Sequence, residues 1–156
     1  MLGSVPVPSL VHAFDVEADV DPPIDVGQVG TGQRRMIPIT GGRVSGPKLN
    51  GTVLPGGIDY QLIRPDLTAE IHARYVIETS AGAKIYVENT GLRHGPPDVI
   101  QKLIRGEPVD PALIYFRTSP RFETASADHA WMMKSLFVCS GARAPRGVYL
   151  RFYEVT

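Results

Sequence analysis

The sequence predicts an all-β protein, a single closed antiparallel β-barrel of about eight to ten strands with one short helix. Three observations carry that reading. Apolar residues recur mostly at every second position, the period of a strand with one buried face. The 16 glycines and 14 prolines among 156 residues supply the turns that many short strands require. Only one segment, residues 97–105, has its apolar residues at helical spacing.

Taken in order, the first strand alternates Leu10, His12, Phe14 and Val16 with Val11, Ala13, Asp15 and Glu17. Residues 26–32 read as a turn. A second strand over 34–44 contains Pro38, which requires an edge, a bulge or a bend. Asn50-Gly51 between the β-formers of 48–53 is a hairpin signal, because both residues tolerate positive φ. Pro55-Gly56-Gly57 breaks the chain again. Strands follow at 58–64, 69–79 and 83–93, the last two joined across Ser80-Ala81-Gly82. The helix places Val99, Ile100, Leu103 and Ile104 together and stops at Gly106. Strands resume at 113–118, 131–140 and 146–155. A closed barrel is preferred to a sandwich because closure removes sheet edges, and about eight strands leave room for one small ligand. Residues 1–8, with Pro6 and Pro8, are expected to be a flexible terminus, and 9–156 a single domain.

Charge and motif content narrow the function. Sixteen basic residues balance 16 acidic ones, which argues against nucleic-acid and membrane-surface partners. No apolar run approaches the ~20 residues that span a bilayer. With no secretory leader pattern, a cytoplasmic location is expected and the Asn50-Gly51-Thr52 sequon reads as a turn. The lone Cys139 lies in an apolar run and is expected to be a buried, inert thiol. His12, His72, His94 and His129 are scattered without metal-ligand spacing, so no metal is expected. Gly27-Gln28-Val29-Gly30-Thr31-Gly32 reverses the dinucleotide spacing and precedes no helix, and Pro47 interrupts a phosphate-loop order in 41–48. No cofactor is expected.

What remains is a density of ionisable and phenolic groups inside period-two segments. Ile71, Ala73, Tyr75 and Ile77 share one strand face, and His72, Arg74 and Glu78 the other. An apolar lumen would leave the second set in solvent or at a subunit contact; a polar lumen would make it a pocket wall. The same choice stays open for Tyr86 and Glu88 against Ile85 and Val87, and for Tyr115 and Arg117 against Ile114 and Phe116. A Tyr-x-Arg strand offers a phenol and a guanidinium on one face, suited to an enolate, phenolate or carboxylate. Structural ion pairing accounts for such residues equally well.

The ordered series Ile39-Thr40-Gly41-Gly42, Gly46-Pro47, Gly51, Val53-Leu54-Pro55-Gly56-Gly57-Ile58-Asp59, Ala73-Arg74-Tyr75, Gly82-Ala83, Gly91-Leu92-Arg93, Tyr115-Phe116-Arg117-Thr118 and Phe122-Glu123-Thr124 resembles the domain of unknown function 3237 family from about Leu10 to Val155. The resemblance implies a barrel similar to those of allene oxide cyclases and dirigent proteins, with an internal pocket. It implies no particular reaction. Its pattern marks Asp59, Arg74, Tyr75, Arg93, Tyr115, Arg117 and Trp131. Tyr60 stands where relatives often have Trp, and Ser80-Ala81 replaces a common acidic pair.

The expected function is a small-molecule-binding barrel acting as a cofactor-independent enzyme, a cyclase, isomerase or lyase, on a small oxygenated or aromatic metabolite. In that scheme Asp59 exchanges a proton, Arg74 and Arg117 hold a developing oxyanion, and Tyr75 and Tyr115 relay a proton or bond a carbonyl. Arg93 binds ligand and Trp131 supplies an aromatic wall. Asp59, Arg74, Tyr115 and Arg117 are expected to converge on one pocket. The alternatives are a non-catalytic small-ligand carrier and a structural or interaction protein; assembly of the chain with its own copies is compatible with all three.

Overall fold

The computed structural model describes residues 2–156. The flexible terminus expected over 1–8 includes Met1, which lies outside the described residues. Ten strands and one α-helix follow in the order β1 (Leu10–Val20), β2 (Ile24–Val29), β3 (Gly32–Ser45), β4 (Gly51–Val53), β5 (Gly57–Ile63), β6 (Ala69–Thr79), β7 (Lys84–His94), α1 (Pro97–Ile104), β8 (Tyr115–Thr124), β9 (Leu136–Ala144) and β10 (Gly147–Val155). Every pairing is antiparallel, and β1 closes the sheet by pairing with both β3 and β10. Eight strands make the closed barrel. The other two are β2, which continues β1 along β3 beyond a bend, and the short β4, which shares with β5 the space between β3 and β6. The seam is tied at the chain ends, where Ser9 and Thr156 exchange backbone N–H···O bonds of 2.9 Å in both directions.

The apolar faces turn inward. In β6 Ile71, Ala73, Tyr75 and Ile77 are buried while Arg74 is exposed and His72 and Glu78 are half-exposed, which settles the choice left by periodicity in favour of the apolar lumen face. At one end the lumen is a packed aromatic plug. Phe14 stacks on Phe152 at 4.5 Å and Phe122 meets Phe137 edge-on at 5.0 Å. A 3-10 turn over Ala127–Met133 caps this end with Met132, and Trp131 packs on Phe137. Each fully buried ring of this kind stabilises the fold by about 1.5–3 kcal/mol. The opposite end carries α1, which lays Val99, Ile100 and Leu103 on the barrel and is held by Arg143, whose Nη1 donates to the Leu103 carbonyl at 2.7 Å.

Several local expectations are corrected. Residues 26–32 are not only a turn, since β2 pairs with β3 there; its side chains are nearly all exposed, so no burial period marks it. The strand expected at 131–140 starts at Leu136 because Trp131 belongs to the 3-10 cap. The strand expected at 113–118 starts at Tyr115 and runs on to Thr124 through Pro120. Asn50-Gly51 is not a tight two-residue turn. Asn50 instead braces the Gly46–Asn50 loop through its side chain, which donates to the Gly46 carbonyl and accepts from the Gly46 N–H. Pro38 is accommodated opposite the β1–β2 bend, where its carbonyl accepts from Asp21 and no ladder donor is needed.

Candidate functional site

Asp59 sits where the wall of the barrel parts. The β5–β6 ladder pairs Asp59 with Ala73 and then resumes only at Leu62 with Glu70, leaving Tyr60 and Gln61 paired with β3 but not with β6. Into that interval the Asp59 carboxylate accepts the His72 backbone N–H at 2.9 Å and Gln61 Nε2 at 3.3 Å. Gln61 is fully buried and passes the contact on, its Oε1 accepting from Arg35 Nε at 3.1 Å and Nη2 at 2.7 Å. Burial pushes the Asp59 carboxyl above the ordinary carboxylate range, against the pull of the His72 N–H, Arg93, Gln61 and Arg35. Burial likewise pushes the Arg35 guanidinium down, with Asp25 and Asp59 opposing.

Register carries the site around the barrel. Ile37 pairs with Asp59, Asp59 with Ala73 and Ala73 with Asn89, so Asn89 looks into the same lumen, as do Arg93 on β7 and Thr118 on β8. Among the described residues, four buried side-chain atoms find no hydrogen-bond partner: Tyr75 OH, Asn89 Oδ1, Arg93 Nε and Thr118 Oγ1. Thr118 Oγ1 has only the weakly bonding Cys139 thiol beside it. All four belong to lumen-facing positions of three consecutive strands. Unsatisfied buried polar atoms are rare and each costs about 1–3 kcal/mol, so four of them at lumen-facing positions make the lumen a candidate site.

Electrostatics sharpen the picture. Burial pushes the Arg93 guanidinium down, and neighbouring Arg35 and Arg143 press the same way while Asp59 opposes them. Burial, with the Cys139 thiol adding to it, pushes the Tyr75 phenol well up, so it remains an O–H donor. Cys139, 1% exposed, is pushed up to about 12 by burial, so it is a buried thiol and not a nucleophile. Among the described residues no three His, Cys, Asp or Glu side chains gather as a metal would require, and no helix is long and apolar enough to cross a membrane.

Of the catalytic and ligand-binding residues expected from the sequence, Asp59, Tyr75 and Arg93 face the lumen. Arg74, Tyr115 and Arg117 do not join them, because strand parity turns them outward. Arg74 lies on the exterior beside Glu88 at 3.7 Å and His72 at 3.3 Å, with its guanidinium over the Tyr60 ring. Tyr115, 47% exposed, stacks on His94 at 4.8 Å, and Arg117 lies over its ring. The convergence of Asp59 with Arg74, Tyr115 and Arg117 is thereby corrected: the wall separates them. Trp131 stands at the far, plugged end, with Lys48 Nζ 5.2 Å from its ring centre.

Two outer grooves of about 470 and 500 Å³ meet at Arg117, the first including Asp15, Ser140, Tyr149 and Arg151, the second His94, Leu113 and Tyr115. Their charges are already engaged. Arg151 grips Asp15 through two bonds of 2.9 and 3.0 Å, and Arg117 Nη1 donates to the Phe116 carbonyl. The lumen, with unspent donors and acceptors, is the better candidate.

Arg35, Gln61, Asn89 and Thr118 were absent from the residues singled out in the sequence. A signal existed for three of them, each continuing an otherwise apolar inward face: Arg35 with Ile37 and Ile39, Asn89 with Ile85 and Val87, Thr118 with Phe116.

The chain is 48% identical over 144 residues to the UPF0311 protein RPA1785 of Rhodopseudomonas palustris, covering 92% of this chain and 94% of the relative. The crystal structure of RPA1785, a conserved protein of unknown function, superposes with a TM-score of 0.92 over 97% of this chain and all of that one, at 45% identity. A β-barrel-like protein of Acinetobacter baumannii is similar over 98% of this chain and 99% of its own, with a TM-score of 0.86 and 34% identity. An enzyme from Penicillium herquei shares the fold at a TM-score of 0.75 and 22% identity, over 99% of both chains. The profile of the family described as protein of unknown function (DUF3237) matches residues 8–155. The chain belongs to that family.

Proposed function

We propose that this barrel binds a small oxygenated metabolite in its lumen and acts on it as a cofactor-independent enzyme, an isomerase, cyclase or lyase that works by proton transfer. The observation that carries the reading is the Asp59 carboxyl, displaced upward in its titration by burial and set beside guanidinium groups in a lumen with unspent polar atoms. A carboxylate so placed takes a proton from carbon next to a carbonyl, and the electron pair moves onto the carbonyl oxygen as an enolate. Arg93, whose Nε has no partner, offers a donor to that oxygen, and fixed donors aimed at developing charge are the largest common contribution to such catalysis. Return of the proton to a different carbon isomerises the substrate, attack by the enolate carbon on an internal electrophile closes a ring, and loss of a leaving group makes the step a lyase reaction. The Penicillium herquei barrel, called an enzyme, is compatible with catalysis on this architecture and says nothing of the reaction.

A non-catalytic carrier is the second reading, favoured by one observation: the Asp59 carboxylate already has work in the wall, accepting from His72. Incubation of the protein with a cellular metabolite extract in D2O separates the two. The enzyme reading expects one metabolite to gain deuterium at carbon in the presence of the protein and not with Asp59→Asn. Retention of a metabolite on the protein by native mass spectrometry, with no deuterium gained by any, would leave the carrier in its place.

A further inference from the structure

The charges at the α1 end of the lumen are out of balance. Arg35 and Arg143 both press on Arg93 there, and Asp59 is the carboxylate that opposes them; Asp25, exposed on β2, acts on Arg35. The three cations are engaged differently. Arg35 spends Nε and Nη2 on the neutral Gln61 carbonyl oxygen, and Arg143 spends Nη1 on the Leu103 carbonyl. Arg93 Nε is buried and bonded to nothing. Nor is Arg93 the ion-pair partner of Asp59, whose oxygens accept from His72 N–H and Gln61 Nε2. A half-buried guanidinium whose Nε is shut away from solvent without a partner, beside like charges and a carboxylate that bonds elsewhere, is destabilising as a strut of the wall. It is suited to an incoming anion, above all a carboxylate, whose planar pair of oxygens fits the guanidinium fork.

The surroundings of that anion are apolar. Ile71 and Phe116, each 8% exposed, and half-buried Ile37 face the same stretch of lumen. Phosphate, which needs donors on every side, is poorly served there; a carboxylate on an apolar body is well served. We infer that the lumen takes an amphipathic organic acid, its carboxylate on Arg93 and its apolar body along Ile37, Ile71 and Phe116. This rests on the lumen being the ligand site of the proposed function and adds the class of ligand.

The test uses the full chain, thermal melting and calorimetric titration, with phenylacetate and octanoate as probes, their neutral amides as controls, and inorganic phosphate. At least one of the two acids is expected to raise the melting temperature of the wild type, with no comparable effect from its amide or from phosphate. Arg93→Met is expected to melt higher than wild type without ligand, since a buried unpaired charge is gone, and to bind that acid about ten- to a hundredfold more weakly. Arg74→Met, on the outer face, is expected to keep the binding. An amide that binds as well as its acid, phosphate that binds as well as either acid, no binding by either acid, or an Arg93→Met protein that melts lower and still binds would each overturn the inference. The two readings fail separately. Acid binding without deuterium exchange retains an acid-binding carrier, whereas Asp59-dependent exchange on a neutral compound with no preference for acids retains the enzyme and removes the acid.

Discussion

The His72 backbone N–H donates to the Asp59 carboxylate at 2.9 Å in the interval where β5 and β6 do not pair. One side chain thereby takes the place of a ladder acceptor, and the wall stays hydrogen-bonded while its carboxylate sits among the lumen-facing groups. The same residue therefore serves the sheet and the lumen, and the two roles separate on substitution.

Asp59→Asn keeps an acceptor for His72, and Asp59→Ala leaves that buried N–H unpaired. Alanine is expected to cost about 1–3 kcal/mol in urea unfolding at neutral pH, and asparagine less. The pH dependence has a definite sign. Because the folded state raises the Asp59 pKa, the stability it contributes is complete below the ordinary value near 3.9 and is lost as pH rises through the folded value. The asparagine side chain does not titrate. The stability of Asp59→Asn relative to wild type is expected to climb across that window, and a relative stability that falls with rising pH would contradict the role of burial.

Gly42 lies in β3 against β1, at φ 149°, where an added Cβ would stand 2.3 Å from the Glu17 carbonyl oxygen. The atoms it would meet are all backbone of β1, at Glu17 and Ala18, which leaves nothing flexible to yield. Gly42→Ala is expected to cost at least about 1–3 kcal/mol from backbone strain alone. Gly82, at φ 90° in the β6–β7 turn with nothing within 4 Å of a new Cβ, provides the comparison. Gly82→Ala is expected to cost less, and equal losses in chemical denaturation would show that the contact with β1 is immaterial.

Arg117 rests on the outer surface over Tyr115, and its Nη1 is spent on the neighbouring Phe116 carbonyl. Arg117→Ala is expected to change stability by less than about 1 kcal/mol and to leave acid binding in calorimetry unaltered. Loss of that binding would relocate the site to the outer grooves.

The barrel was legible in the sequence because its inward faces are apolar at period two along β1, β6, β7 and β8, and because turns fall between them. The β2 strand was not legible: its side chains meet solvent on both faces, so burial leaves no imprint on its composition. Trp131 was drawn into a strand by its apolar neighbours, although those residues cap the barrel end from a 3-10 turn. The candidate site was half legible. Asp59, Tyr75 and Arg93 came through the family pattern, but that pattern carried Arg74, Tyr115 and Arg117 with it, and strand parity sends alternate residues to opposite sides of the wall. Arg35 could be read from the apolar inward face of β3 that it continues, whereas Gln61 depended on the local parting of β5 from β6, an arrangement with no one-dimensional signature.

The seam that joins β1 to β10 brings Leu10 opposite Val155. The first of the ten barrel-sheet strands to be made therefore waits for the tenth, holding only β3 on one side while its other edge stays open. The β6–β7 hairpin can form during synthesis from neighbouring sequence, but the ring cannot shut until translation reaches β10, and the loop-closure entropy for that step spans all the strands between β1 and β10. Barrel closure is accordingly a late event among the strand pairings, and the interval before it is when the open β1 edge is exposed to pairing with another nascent copy.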